Sequence, residues 1–289
     1  MTKNAQGILL MIAAFFVFSF LDASAKEVMR SLPPLVTVFL RYLLATLIAF
    51  FALMYLGGGN LLKSKQPTAQ LLRGATLLGA TICNFTAMHY LQLAQTAAIS
   101  FMIPLWVCAL SGPMLGEKVG WRRWSAVLIG FIGVLIIMRP GTMSFHWAMI
   151  FSLASTLCGA LYSILTRKVG STDHSATSLF YVCLAGAAFG ALPQPWVWQM
   201  PHGNVWYFVL AMGVAGSFGH YLLIQAHRLT PASVLAPFSY TQIIWMIILG
   251  YVLFGDVPDL WTIVGASIVV ASGLFVFLRE RSLAQPAEI

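Results

Sequence analysis

Charge is what this sequence lacks. Asp, Glu, Lys and Arg make up 8% of its 289 residues, 60% are hydrophobic and mean hydropathy is +0.86. A water-soluble domain carries roughly 25% charged residues, so a soluble fold is excluded and the chain reads as a polytopic membrane protein. Acids are scarcer still, eight against sixteen bases, for a formal net charge of +8. In a soluble chain that balance would suggest nucleic acid. Here the bases fall in short clusters between apolar runs, the pattern that orients membrane proteins, and no nucleic-acid partner is expected.

Other absences narrow the chemistry. Cys83, Cys108, Cys158 and Cys183 all sit inside apolar runs without CxxC spacing, which suits buried thiols and gives no reason to expect a disulfide or metal. There is no HExxH, no phosphate-cradling P-loop and no pair of membrane-depth carboxylates. Gly216-Ser217-Phe218-Gly219-His220 imitates a hydrolase elbow, but the pattern fails at Ala215 and no acid orients the histidine. Neither an enzyme nor a cofactor is expected, and without an ATP site any active transport must draw on a solute or ion gradient.

What is present is length in the apolar runs. A span needs about 20 residues, and ten candidates lie at roughly 6–25, 33–56, 71–91, 94–115, 122–139, 146–166, 176–197, 205–227, 231–254 and 259–279. Turn chemistry separates them, as at Pro33-Pro34, Gly57-Gly58-Gly59, Pro140-Gly141, Pro193-Gln194-Pro195 and Pro258. Lys3 followed by Gly7–Leu21 and Ala23-Ser24-Ala25 imitates a cleavable signal peptide. A similar helix opens the second half, so the segment is read as the first span.

Taken by alternate loops, twelve Lys and Arg fall on one side, Arg73 among them, and three on the other: Lys26, Arg30 and Arg139. Both termini are therefore expected in the cytoplasm of a cell whose inner membrane holds the protein.

The chain also repeats. Ala226–Asp256 lies over Ala87–Glu117 at a constant offset of 139: Ser239 meets Ser100, Trp245 meets Trp106, Gly255 meets Gly116 and Asp256 meets Glu117. A mid-helix tryptophan and a Gly-acid stop in register indicate one five-span unit used twice, over residues 1–140 and 141–289. An odd number of spans per unit makes the halves enter the membrane in opposite senses. In such all-α folds, ten helices as a 5+5 inverted repeat, substrate lies near the midplane between halves.

Phe39-Leu40-Arg41, Ala87-Met88-His89-Tyr90-Leu91, Gly116-Glu117, and above all Ala236-Pro237-Phe238-Ser239-Tyr240-Thr241-Gln242 with Gly255-Asp256, resemble the EamA branch of the drug/metabolite transporter superfamily. The resemblance covers about residues 7–280. It implies a transporter of small organic solutes, with amino-acid and metabolite exporters, riboflavin importers and S-adenosylmethionine carriers among bacterial members.

Candidate functional residues are the polar groups that hydrocarbon penalises. Asp22 and Arg41 lie at similar depth on the first two spans, and they are expected near enough to pair or share water; a purely structural pair is the plain alternative. His220 either binds substrate or carries a proton, or is a satisfied interior histidine. Asn84 is a midspan amide with helix-to-helix bonding as its plain role. Trp106 and Trp245, at matched depth, are read as lining a cavity with Ser239, Tyr240 and Gln242, against plain packing. Pro104 and Pro237 are read as bending points for alternating access, against static kinks. Amino-acid or metabolite export is the leading expectation and riboflavin-type uptake the second, with a small-molecule substrate, a lipid environment and a monomer or homodimer.

Overall fold

The computed structural model describes residues 3–57, 64–115, 121–169, 175–230 and 235–284. Gly58, Gly59, Lys63, Gly116, Glu117, Lys118 and Pro231 lie outside the described residues. Among those described, all regular structure is helical. The helices are α1 (Lys3–Val28), α2 (Pro34–Gly57), α3 (Pro67–Tyr90), α4 (Leu93–Ser100), α5 (Ile103–Leu115) and α6 (Trp121–Met138). They continue with α7 (Ala148–Val169), α8 (Ser175–Ala191), the short α9 (Gln194–Val197), α10 (Val205–Leu229), a 3-10 segment (Ala236–Thr241), α11 (Gln242–Phe254) and α12 (Leu260–Ala284).

The punctuation works as its chemistry requires. Pro34 and Pro67 stand at the first positions of α2 and α3, where a missing N–H costs no helical bond. Gly255 ends α11 in the left-handed region at φ 70°, donating to Tyr251 O (3.0 Å), and the Asp256 N–H closes on Gly250 O (3.1 Å). At the end of α6 the left-handed position falls to Arg139, φ 45°, a conformation costly for a side chain with a Cβ. Its guanidinium binds Asp259, which in turn caps α12 by accepting from Thr262 N at 2.8 Å.

Three of the expected spans are interrupted. The fourth breaks at Phe101-Met102 between α4 and α5, the seventh at Leu192-Pro193 before α9, and the ninth runs as 3-10 helix before α11. The fourth and ninth breaks match. Helix restarts at Ile103 and at Gln242, again 139 apart. Pro104 is therefore in the first turn of a new helix and Pro237 in the 3-10 segment, so neither kinks a continuous α-helix.

Packing gives the relation between the halves directly. In the pair α2 with α8, Tyr42 lies on Gly186 and Phe39 on Gly190; in the pair α6 with α12, Gly130 faces Ser272 and Gly133 faces Val269 and Gly265. Partner numbers fall as the others rise, so each helix runs antiparallel to its own repeat counterpart. Mixed pairs also exchange. Antiparallel α1 and α10 meet through Phe18 with Gly219 and Leu21 with Gly216, and antiparallel α3 and α7 through Gly79 with Cys158 and Ala80 with Ser155. Gly74 of α3 packs on Val182 and Ala185 of α8, while Gly213, 139 residues on, packs on Leu44 of α2. A two-fold relation that reverses every helix has its axis across the bundle, the inverted-repeat arrangement.

Five stretches are individually long and apolar enough to cross a bilayer: Ala5–Val28, Pro34–Tyr55, Leu93–Leu110, Ala148–Thr166 and Val205–Leu223. Shorter apolar helices cover Trp124–Met138, Ala176–Ala191, Phe238–Phe254 and Leu260–Phe275. The remaining long helix, α3, owes its weaker hydropathy to Gln70, Arg73 and Thr81, all buried. Outward faces are apolar, as with Leu128, Ile129 and Ile132 of α6 and Tyr251, Val252 and Leu253 of α11. Such surface fits lipid and not water.

Candidate functional site

Glycines on α8 and α10 bring α2, α3, α7, α8 and α10 together around a cavity. A side chain at Gly186 would collide with the Tyr42 ring, and one at Gly213 would meet Leu44 at 2.7 Å. The cavity, about 20 Å³, is lined by residues that include Arg41, Tyr42, Tyr162, Cys183, Ser217 and His220. One water needs ~10–15 Å³ by this measure, whereas ligand pockets run to ~300–1,000 Å³. This conformation has room for about one water and none for a metabolite.

Arg41 is held at the cavity wall by its flat face and by one nitrogen. The guanidinium lies 5.1 Å from the Tyr42 ring centre and 5.6 Å from that of Phe85, and Nη1 donates to Thr81 Oγ1 at 2.9 Å. Thr81 spends its own proton on Leu77 O (2.9 Å), so the 2.8 Å contact with Tyr42 is donated by the tyrosine hydroxyl. His220 lines the same cavity with its ring edge to face against Phe18 at 5.0 Å, and it has no hydrogen bond among the described residues.

Arg73 is the residue that sequence reasoning missed. Assigned with the cytoplasmic loop, it is instead buried at 7% exposure, six residues into α3. It donates to Gln70 Oε1 (3.1 Å) and to Tyr162 Oη (3.2 Å), and its plane covers the Tyr162 ring at 5.2 Å. Nε is buried without an acceptor. Gln70 passes the chain on to Ser178 Oγ at 2.8 Å. Since Tyr162 also lines the cavity, a second guanidinium stands directly behind its wall. The one available signal was local, Arg73 beside Gly74 inside an apolar run.

The expected contact between Asp22 and Arg41 is not made. Asp22 is half-buried on α1, with no hydrogen bond or ion pair among the described residues, and Arg41 lies within electrostatic range only. α1 packs chiefly on α10, while Arg41 of α2 turns to Thr81 and Phe85 of α3.

The other candidates gather around the broken helices, away from this cavity. Trp106 donates to Thr156 Oγ1 at 3.0 Å, while the Trp245 indole N–H is buried without a partner and its ring meets Phe16 at 5.0 Å. Tyr240 stands edge to face on Phe101 at 4.9 Å, with its hydroxyl over Gly273. Ser239 and Gln242 are half-buried beside it, Pro104 is exposed, and Asn84 reaches Met88 Sδ at 3.7 Å. At one end of the bundle Lys26 Nζ joins the halves, donating to Leu91 O (2.8 Å) and Asp256 Oδ2 (3.0 Å) above the Phe254 ring.

This arrangement has relatives. The EamA-like transporter family matches twice, over residues 5–139 and 146–278. The chain belongs to that family. As an EamA-like protein it is 30% identical to the riboflavin transporter of Vibrio cholerae, over 96% of this chain and 97% of that one. It is 25% identical to the S-adenosylmethionine uptake transporter of Rickettsia felis, over 92% of each, and 28% identical to the pseudopaline exporter of Pseudomonas aeruginosa, over 92% and 94%. One solved crystal structure superposes with a TM-score of 0.68 over 97% of this chain and 99% of that one, at 19% identity, a likeness of fold alone. These relatives are membrane transporters of small molecules, and this EamA-like chain is a multi-pass membrane protein of the same kind.

Proposed function

We propose that this EamA-like protein is a secondary transporter that exports amino-acid-like solutes, aromatic ones among them, across a bacterial inner membrane by alternating access. The observation that carries the reading is the cavity where α2 crosses its antiparallel counterpart α8, with Arg41 and His220 in its wall. By symmetry that crossing lies at the same depth from either face, where inverted-repeat transporters bind substrate. Residues 1–140 and 141–289 are the two moving units, with both termini cytoplasmic.

In this reading Arg41 and His220 meet the solute first, with Asp22 nearby. Trp106, Ser239, Tyr240, Gln242 and Trp245, together with Asn84, line the path once the segments broken beside Pro104 and Pro237 shift. The Lys26 tie to Asp256 closes the outward end, and the small cavity suits an occluded state. A second reading, uptake of riboflavin or a similar planar solute, is favoured by the Vibrio relative. Reconstitution into liposomes with labelled amino acids and riboflavin tests both: counterflow of an aromatic amino acid is expected. Riboflavin flux alone would move the assignment to the second reading, and no flux of any solute would overturn both.

A further inference from the structure

We propose that the cavity beside Arg41 is an anion subsite, which takes the carboxylate of the transported solute. This deepens the transporter reading and rests on it.

The repeat itself shows that the fold does not require these charges. Gly74 and Gly213 make equivalent helix contacts, yet Arg73 precedes the first and Met212 the second. At the same offset Tyr42 meets Tyr181 while Arg41 meets Phe180, and Thr81 meets His220. Apolar or neutral side chains therefore serve where one half carries guanidiniums. A charge inside a membrane protein that packing does not need, and that no carboxylate pairs among the described residues, faces a substrate or water path.

Geometry gives the class of ligand. Among the described residues Arg41 uses only Nη1 on protein, and its remaining nitrogens, unlike Nε of Arg73, are not fully buried at the wall of the cavity it lines. Two flanking rings fix the plane of the fork, so the open edge is preset for the paired oxygens of a carboxylate. Tyr162 accepts from Arg73, which leaves its own hydroxyl proton to donate into the cavity. Arg73 behind it adds a second positive charge, and the cavity, with room for about one water in this conformation, must widen to take the carboxylate. Asp22 lies within electrostatic range of Arg41. It limits the site to a single acidic group and favours solutes that also carry an amine.

The test is binding to purified full-length protein, with tryptophan, phenylalanine and benzoate against their carboxamides, and with riboflavin as a neutral planar probe. Wild type is expected to bind carboxylates at least tenfold tighter than the matched carboxamides. Arg41→Gln should bring that ratio close to one without weakening the carboxamides. Tyr162→Phe should lower carboxylate affinity about threefold, which keeps the test valid should the arginine variant fail to fold. Carboxamides or riboflavin binding as tightly as carboxylates would overturn the subsite while leaving the transporter reading intact. Failure of every probe would overturn both.

Discussion

Two helices of this molecule cross their own repeat counterparts, and the crossings are built in opposite ways. Where α6 meets α12, Gly133 and Gly265 bring the backbones together among Val134, Ile137, Ala266 and Val269, and apolar contact fills the space. Where α2 meets α8, Gly186 yields to the Tyr42 ring, and beyond it lie a cavity, a guanidinium and a thiol. One symmetry operation thus produces a sealed seam and a polar one. The repeat dictates that equivalent helices meet, while the side chains at each meeting decide whether it holds the bundle together or receives a solute.

The largest effect is expected at the sealed seam. A Cβ at Gly265 would lie 2.5 Å from the Gly133 carbonyl oxygen, backbone that cannot step aside. Gly265→Val should therefore cost at least the ~1–3 kcal/mol of an overpacked core, read as a large drop in thermal midpoint in detergent. Gly186→Ala, pressed against a ring with a cavity behind it, should cost clearly less. Equal losses would mean that the two seams are mechanically alike.

Next come the charges of the polar seam. Asp22→Asn and Arg41→Gln should each reduce flux tenfold or more. Because the two side chains do not touch, the exchange Asp22→Arg with Arg41→Asp should restore nothing; recovery in the double variant would show a direct pair.

The tie between the halves is a smaller lever. Lys26→Met removes the donor shared by Leu91 O and Asp256, and labelling of a cysteine placed at Val257 should rise severalfold. Unchanged labelling would mean that this contact closes nothing.

Matched tryptophans sharpen the comparison of the halves themselves. Trp106→Phe removes the N–H that the Thr156 hydroxyl accepts and should cost about 0.5–1.5 kcal/mol, whereas Trp245→Phe removes an N–H that is already unpaired among the described residues and should be neutral or stabilising. The reverse order in chemical denaturation would contradict these contacts.

The smallest effect is a pH dependence at Asp259. Partial burial raises its pKa, but hydrogen bonds from Thr262 and the Arg139 guanidinium outweigh this and hold the carboxyl below its ordinary value of 3.8. A depressed folded-state pKa stabilises above the unfolded value and is lost as pH falls through the folded one. The advantage of wild type over Asp259→Asn should therefore be constant above about pH 5 and shrink below pH 4.

Much of the fold was legible because it rests on local chemistry and on identity at a fixed spacing. Apolar length located the helical stretches, Gly255-Asp256 carried both a left-handed helix end and an acid turned to Lys26, and the offset of 139 recurs in the helix restarts, which were not expected. What escaped depends on which face of a helix meets which neighbour. Arg73 was assigned to a loop because a positive charge near a span end reads as a topology signal, and only the packing of α3 between α7 and α8 buries it. Asp22 and Arg41 share a depth but not a direction. The breaks at Phe101-Met102 and Leu192-Pro193 carry no signal in hydropathy, which averages across them.

Reciprocal motion is the most direct test. Spin labels at Leu91 and Val257 report the Lys26 end, and labels at Gln66 and Ala176 report the opposite end, each pair spanning the two halves. Adding a bound carboxylate solute to protein in nanodiscs should lengthen one distance as the other shortens. Both distances lengthening together, or neither changing while flux proceeds, would contradict two inverted halves rocking about a shared polar seam.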